Sequence, residues 1–547
     1  MRHTHVGVSR TGATGRHATA AARPSGAAAP AGRRRTCQHG PVRRLATLLA
    51  AAVLAGACGG DGDDSAGPAP SASVTTATAP AEATSTTAAA PATTAPSSAA
   101  TSTAAPGPGG TAAAPTTRAP AAAGPGRPAA SCPAIPARPA PREDRSRYTL
   151  RIDVKPDRNV VEGDLTVRFT PDLPTDQLVF RLWANSPRTA AAGARLDVAG
   201  VFVGGQRVDA VQPDATTVVA RPGPLAPGRA IDVNVPWRLT LPGTVSDRIS
   251  RTGDAIRLGS FFPILAWEPG VGWAVQPATS GFAEASMTPQ ADFAATVSVP
   301  PGFDVLATGV NDGSGRWTAT AVNDFAMSVG HFSMASATAN APQPVQVTVG
   351  VHQGIAESPA AYASRIVRAL EDFGRRFGPY PWPTYTMAVT PQLGGGIEYP
   401  MHVLQGPGTM GRTTSHEVAH MWFYGLVAND QGRDPWMDEG LATYAEGRFE
   451  GSLETIRSTP VPAAGRGRAG EPMRYWEPRQ SIYYRSVYTQ GAQAVAALGD
   501  AELVDCALRV YVARKGYRVA RPGDFIEAAK AVFPDAAEVL GRYGIRS

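Results

Sequence analysis

Apolar side chains recur at every second position in short runs between residues 147 and 352. In the first run, Tyr148, Leu150, Ile152 and Val154 alternate with polar residues. Gly, Pro and Asp separate this run from similar runs at 165–169, 178–182, 217–220, 231–235, 293–299 and 325–329. A period of two is typical of half-buried strands. Many short strands between turn signals predict a sheet-rich sandwich or saddle, without βαβ units.

The spacing of apolar residues changes to that of helices after about residue 353. Residues 358–377 place Ile366, Leu370 and Phe373 on one side of a helix, and Gly378-Pro379 predicts its end. The sequence therefore predicts a multidomain α+β protein. A β-sandwich or saddle domain occupies residues 141–350, and a mostly helical domain occupies residues 351–547.

Residues 59–140 show neither pattern and consist mainly of Ala, Thr, Ser, Pro and Gly. Such a segment buries too little apolar area to offset the entropy of ordering it. The sequence predicts a disordered linker here.

Residues 1–58 have the features of an export leader. Arg43-Arg44 precede an apolar run, 45–57, which is too short to span a bilayer, since a spanning helix needs about 20 residues. The run ends in Ala-Gly-Ala-Cys, which resembles a bacterial lipobox and implies a lipid on Cys58. We expect an exported protein, anchored to the outer face of a cell membrane through Cys58 or else secreted.

The net charge of +6 comes from the leader. Residues 1–57 contain nine Arg and no acidic residue, so the remainder has 42 basic and 45 acidic residues, a net charge of −3. No basic patch in the remainder indicates a nucleic-acid partner.

The chain has four cysteines, and Cys37 and Cys58 belong to the leader. Cys132 and Cys506 remain, in an oxidising compartment if the protein is exported. They either form a disulfide or stay free, because distance along the chain does not give distance in space.

The strongest chemical signal is His416-Glu417-Val418-Ala419-His420. Residues four apart lie on one face of a helix, so both imidazoles can bind one metal ion. Glu417, next to the first ligand, can take a proton from a metal-bound water.

A third ligand is available in Glu439, nineteen residues after His420. Asp434-Pro435 is a suitable cap and first turn for a new helix that carries this Glu. Three protein ligands with an open fourth position are typical of a catalytic zinc. Glu446, seven residues further on, either hydrogen-bonds a ligand His or is a surface carboxylate.

These motifs resemble the aminopeptidase-N-like branch of the gluzincins, in which HExxH, eighteen residues and a Glu form the zinc site. The family's Gly-x-Met-Glu-Asn-type strand corresponds to Gly395-Gly396-Ile397-Glu398-Tyr399. The resemblance implies that Glu398, Gly395 and Gly396 bind the substrate, with Glu398 holding its free amino group.

The family's Tyr-x-x-Gly-Ala segment corresponds to residues 488–492, so Tyr488 is expected to stabilise the oxyanion. The resemblance also implies one Zn²⁺ per chain, a thermolysin-like catalytic domain, and peptides as substrates. A residue of the saddle domain, Gln276 or Glu284, is expected near the amino-group site. The implied function is a zinc aminopeptidase. A zinc endopeptidase and a catalytically idle peptide-binding lipoprotein remain as alternatives.

Overall fold

The computed structural model describes residues 130–281 and 288–547. The predicted leader with Cys58, the linker up to residue 129, and Glu284 lie outside the described residues. Within the two described stretches, no helix combines the length and the apolar character needed to cross a membrane.

The described residues form 25 strands. In chain order they are β1 Arg147–Lys155, β2 Val160–Phe169, β3 Leu178–Arg181, β4 Arg195–Val198, β5 Val201–Val203, β6 Gln206–Asp214, β7 Thr217–Arg221, β8 Ile231–Thr240, β9 Ile249–Thr252, β10 Ala255–Leu258, β11 Ile264–Leu265, β12 Trp267–Glu268, β13 Gly272–Trp273, β14 Ala291–Ser298, β15 Asp304–Ala307, β16 Val310–Asn311, β17 Arg316–Val322, β18 Met327–Gly330, β19 Phe332–Asn340, β20 Pro344–His352, β21 Thr384–Val389, β22 Gly396–Tyr399, β23 His402–Gln405, β24 Val427–Asn429 and β25 Arg518–Ala520.

The same residues form eleven α-helices. They are α1 Pro187–Ala191, α2 Pro359–Phe377, α3 Arg412–Ala419, α4 Trp436–Glu450, α5 Leu453–Ser458, α6 Met473–Trp476, α7 Gln480–Tyr484, α8 Gln490–Ala496, α9 Ala501–Lys515, α10 Pro522–Lys530 and α11 Ala536–Gly541. A π-helical turn, Arg485–Thr489, joins α7 to α8.

The first half of the described chain is dominated by a twelve-stranded sheet. Its order is β11-β3-β7-β6-β5-β8-β2-β1-β14-β17-β16, and β4 also pairs with β8. The predicted alternation is present in β1, where Tyr148, Leu150, Ile152 and Val154 are all buried. A four-stranded sheet, β15-β18-β10-β9, accompanies it.

A five-stranded mixed sheet belongs to the second half, in the order β19-β20-β21-β23-β22. β20 pairs in parallel with β21, so the β19–β20 hairpin joins the sheet that carries the predicted substrate strand. The boundary predicted between residues 350 and 351 falls inside β20. Period-two alternation identifies a strand but not the sheet that the strand joins.

Helix α2 forms where the apolar spacing predicts it. Ser358 caps its first turn by accepting a hydrogen bond from the backbone N–H of Ala361 at 3.3 Å. Ile366, Leu370 and Phe373 are buried, and the helix packs on β19 and β20.

Cys132 and Cys506 form a disulfide, which settles the alternative that the sequence left open. It fixes the start of the described chain to α9. After Cys132 the chain runs along the mostly helical second half of the protein, where Arg138 Nη1 donates to the carbonyl of Pro379 at 2.9 Å, and then enters β1.

Replacing Cys506 by Ser is expected to lower the free energy of unfolding by about 2–5 kcal/mol, because the crosslink restricts the unfolded chain. Urea denaturation of the oxidised protein and the variant measures this difference. The reduced wild-type protein should match the variant. Equal stability of the oxidised protein and the variant would show that the crosslink contributes nothing.

Candidate active site

Two helices bring the predicted metal ligands together. His416 lies in α3, and His420 follows directly after its last residue. Glu439 lies in the first turn of α4. Its Oε2 is 3.0 Å from His416 Nε2 and 3.4 Å from His420 Nε2, and the two Nε2 atoms are 3.0 Å apart. All three side chains are buried.

The opposite ring nitrogens fix the orientation of both imidazoles. His420 Nδ1 lies 3.1 Å from the carbonyl of Phe423, and His416 Nδ1 lies 3.4 Å from Glu446 Oε2. Nδ1 therefore carries the proton in the neutral rings, and the Nε2 lone pairs face Glu439. Two imidazole nitrogens and one carboxylate oxygen are a donor set that suits Zn²⁺. The residues present thus fit a zinc ion.

The charges of His416, His420 and Glu439 also favour a bound cation. Burial opposes ionisation of Glu439, yet its bonds to both imidazoles outweigh burial and hold its pKa well below the usual range. Burial also opposes the charged form of His420, but the bond to Glu439 raises its pKa to about 9. Glu439 therefore requires a positive partner, which a divalent cation would supply in place of the imidazole protons.

Glu417 lies close to both His420 and Glu398. Its carboxyl is buried, and Oε2 has no hydrogen-bond partner among the described residues. Burial raises the pKa of Glu417 to about 8, and a nearby cation would lower it by attraction. A Cβ at position 396 would lie 2.4 Å from Glu417 Cδ, so only glycine allows β22 to pass this close.

Glu398 lies on β22, the edge strand of the five-stranded sheet, and is buried. One ligand atom each of Glu398, Glu417 and His420 lie within 4.8 Å of one another. Gly395, just before the strand, accepts a hydrogen bond from the backbone N–H of Gly406 at 2.8 Å. The predicted amino-group site therefore adjoins the predicted metal site.

Tyr488 lies in the π-helical turn, and its hydroxyl donates to Glu439 Oε1 at 2.5 Å. Its ring stacks near His416, with ring centroids 5.7 Å apart. Single π-helical turns interrupt the normal helical spacing and are frequent at functional sites. The structure thus places Tyr488 beside the predicted metal ligands His416 and Glu439.

Two glycines set the separation of the helices that carry Glu439 and Tyr488. A Cβ on Gly440 would lie 2.9 Å from the Cα of Gly491, and a Cβ on Gly491 would lie 2.8 Å from the Cα of Gly440. Both neighbours are backbone atoms, so a methyl group at either position must move a helix. This contact therefore joins Glu439-Gly440 of the metal-ligand helix to Gly491-Ala492 of the segment that begins at Tyr488.

Gly491→Ala is expected to push α8 away from α4, lengthen the contact between Tyr488 and Glu439, and lower turnover by roughly tenfold or more, since misplacement by about 1 Å is costly. Bound zinc should be retained. Gly541→Ala is the matched control, because a Cβ there meets nothing within 4 Å. Steady-state rates and metal content measure both variants. Wild-type turnover of Gly491→Ala would contradict the positioning role of this contact.

Sequence reasoning missed two side chains at this site, Gln431 and Arg412. Gln431 donates to Glu398 and to Asp438, and Arg412 donates to Glu446. Arg412 lies one turn before His416, so helical spacing contained a signal for it, whereas Gln431 lies in a loop with no periodic signal.

Of the two candidates for the additional amino-group residue, Gln276 donates to Asp430 at 3.4 Å, next to Gln431 in the chain. Glu284 lies outside the described residues. Glu446 is buried against His416, which favours its hydrogen-bonding role over a surface position.

No protein-family model matches the chain. The chain is 29% identical to human aminopeptidase B over 189 residues, which is 29% of each protein. It is 31% identical to leukotriene A-4 hydrolase of Xenopus laevis over 101 residues, 17% of this chain and 16% of that relative. The chain therefore spans less than a third of the length of these curated relatives.

Solved structures match over a larger part of the chain. An M1 zinc metallopeptidase from Deinococcus radiodurans has a TM-score of 0.54 at 21% identity, covering 74% of this chain and 95% of that protein. A two-domain M1 zinc metallopeptidase bound to L-arginine has a TM-score of 0.53 at 20% identity. The match covers 74% of this chain and 94% of that protein. Together these similarities confirm the resemblance to aminopeptidase-N-like gluzincins and the multidomain α+β layout.

Proposed function

We propose that this protein is a zinc-dependent aminopeptidase that hydrolyses the N-terminal peptide bond of peptides. The convergence of His416, His420 and Glu439 beside the unpartnered Oε2 of Glu417 carries the proposal. The buried Glu398 next to this group favours an exopeptidase over an endopeptidase, because a buried carboxylate is suited to a charged amino terminus.

A zinc ion held by the three ligands would polarise the scissile carbonyl and lower the pKa of a bound water. Glu417 takes the proton of the attacking water on its carboxylate and delivers it to the leaving amine. Tyr488 donates a hydrogen bond to the developing oxyanion. Its hydroxyl leaves Glu439 Oε1, its acceptor in this structure, to do so. Glu398 accepts hydrogen bonds from the α-ammonium and so fixes which peptide bond reaches Glu417.

The function is tested by the metal content of the purified protein and the products of one peptide. We expect about one zinc per chain. Mass spectrometry should show residues released one at a time from a free N-terminus. Cleavage of the same peptide at an internal bond would replace the proposal with a zinc endopeptidase, and the absence of cleavage with zinc bound would replace it with a peptide-binding protein.

The chain is further proposed to be exported and held at a membrane by a lipid on Cys58. The leader-like residues 43–58 support this location, and so does the disulfide, since disulfides persist in oxidising compartments. Cell fractionation should find the protein with membranes, and Cys58→Ser should release it or leave the leader uncleaved. Soluble cytoplasmic protein that retains residues 1–57 would contradict the proposal.

A further inference from the structure

Gln431 connects the predicted amino-group site to the helix of the predicted metal ligand. It lies in the loop between β24 and α4, with 2% of its surface exposed. Its Nε2 donates to Glu398 Oε1 at 2.9 Å and to Asp438 Oδ2 at 2.8 Å. Asp438 is fully buried in the first turn of α4, next to Glu439.

These two contacts determine which way the amide of Gln431 points. A primary amide has two N–H donors on one side and an acceptor oxygen on the other. Both donors here meet carboxyl oxygens, and the reverse orientation would place the amide oxygen against the oxygens of Glu398 and Asp438. The orientation therefore follows from the chemistry of the neighbours.

Glu398 receives no other side-chain hydrogen bond from the described residues. An ionised carboxylate accepts about four hydrogen bonds, so the single bond from Gln431 leaves most of its capacity for a ligand. A cationic side chain in the place of Gln431 would neutralise Glu398 and compete with a substrate ammonium. A neutral amide holds the carboxylate in place and leaves its charge available.

We propose that Gln431 is a positioning residue for recognition of the free N-terminus. It holds Glu398 in the orientation that receives the α-ammonium, and it is itself braced by Asp438 on the helix that carries Glu439. This proposal rests on the proposed aminopeptidase function. It assigns part of the amino-group site to the loop between the two helices that carry the predicted metal ligands.

Gln431→Met tests the proposal, because Met has a similar length and volume but donates no hydrogen bond. For a tripeptide with a free N-terminus, kcat/KM should fall by about tenfold to a hundredfold, the effect of losing one hydrogen bond to a charged group. The loss should appear mainly in KM, with zinc content unchanged. The preference for the free peptide over its N-acetylated form should fall with it.

The Glu398→Ala background separates positioning from a general structural effect. If Gln431 acts through Glu398, adding Gln431→Met to Glu398→Ala changes kcat/KM no further. Gln493→Met is the matched control, because Gln493 Nε2 also donates two hydrogen bonds, to the carbonyls of Ile456 at 2.8 Å and Thr459 at 2.7 Å. The control variant should have a lower thermal stability. Its KM should change by less than about twofold, because a site distant from the substrate acts independently.

Two results would overturn the role of Gln431 alone: an unchanged KM in Gln431→Met, or an equal loss of kcat/KM in both backgrounds. Equal cleavage of free and acetylated peptide by the wild-type protein would instead overturn the aminopeptidase function, and this inference with it. Gln431→Glu is a second variant, which replaces both donors by a third carboxylate beside Glu398 and Asp438. It should raise KM more than Gln431→Met does, and a smaller rise would count against the proposal.

Discussion

Glu417→Gln is expected to lower kcat by about a hundredfold to ten-thousandfold, the contribution of a positioned general base. The amide has nearly the same shape but cannot accept the proton of the attacking water. The zinc content should stay unchanged, because the three proposed ligands are other residues. Single-turnover rates and metal analysis of the same preparation measure both quantities.

The matched control is Glu371→Gln on α2, whose carboxylate accepts a hydrogen bond from the backbone N–H of Asn340 at 3.0 Å. This variant should retain wild-type turnover. If Glu417→Gln also turned over at the wild-type rate, another group would have to accept the proton. If it lost its zinc, the site would depend on Glu417 for metal binding, and the separation of roles would be wrong.

Acetylation of the substrate's N-terminus is expected to lower kcat/KM by about thirtyfold to a thousandfold, equivalent to about 2–4 kcal/mol. The acetyl group removes the positive charge and leaves the buried Glu398 without its proposed partner, so the complex loses an ion pair and keeps the cost of desolvation. Competition between one peptide and its acetylated form, followed by mass spectrometry, measures the ratio directly.

Glu398→Ala should reduce this discrimination. Cleavage of the free peptide is expected to weaken, while the acetylated peptide is affected less because it never formed the pair. The two rates should therefore approach each other. A variant that keeps the full wild-type preference would show that the amino terminus is recognised elsewhere, and Gln276 would then be the first residue to replace.

The parts of the site that the sequence predicts are those fixed by local geometry. His416 and His420 are one helical turn apart, so their spacing alone aligns both imidazoles. A helix that carries Glu439 is predicted from Asp434-Pro435, and α4 begins at Trp436; its N-cap is Pro435 and not Asp434, and no side chain caps it. Tyr488 and Glu398 are predicted from the family resemblance, since no helical or strand spacing relates either residue to the predicted metal ligands.

The remaining features depend on contacts between distant segments. The contact between Gly440 and Gly491 requires two helices to cross, and either glycine alone indicates only flexibility. The role proposed for Gln431 depends on its hydrogen bonds to Glu398 on a strand and Asp438 on a helix, which are distant from each other in the sequence. Cys132 and Cys506 are 374 positions apart in the sequence. The periodicity of apolar residues predicts local structure and does not predict contacts over such separations.

The disulfide also determines how the protein bears mechanical load. When the chain is pulled between a point ahead of Cys132 and its C-terminal end, the force passes through the disulfide into α9, so residues 133–146 and β1 lie outside the shortest covalent path. Without the bridge, the same pull would act on β1, which is hydrogen-bonded to β2 on one side and β14 on the other. Under shear or stretching at its N-terminal side, the oxidised protein should therefore keep its large sheet intact to higher force than the reduced protein.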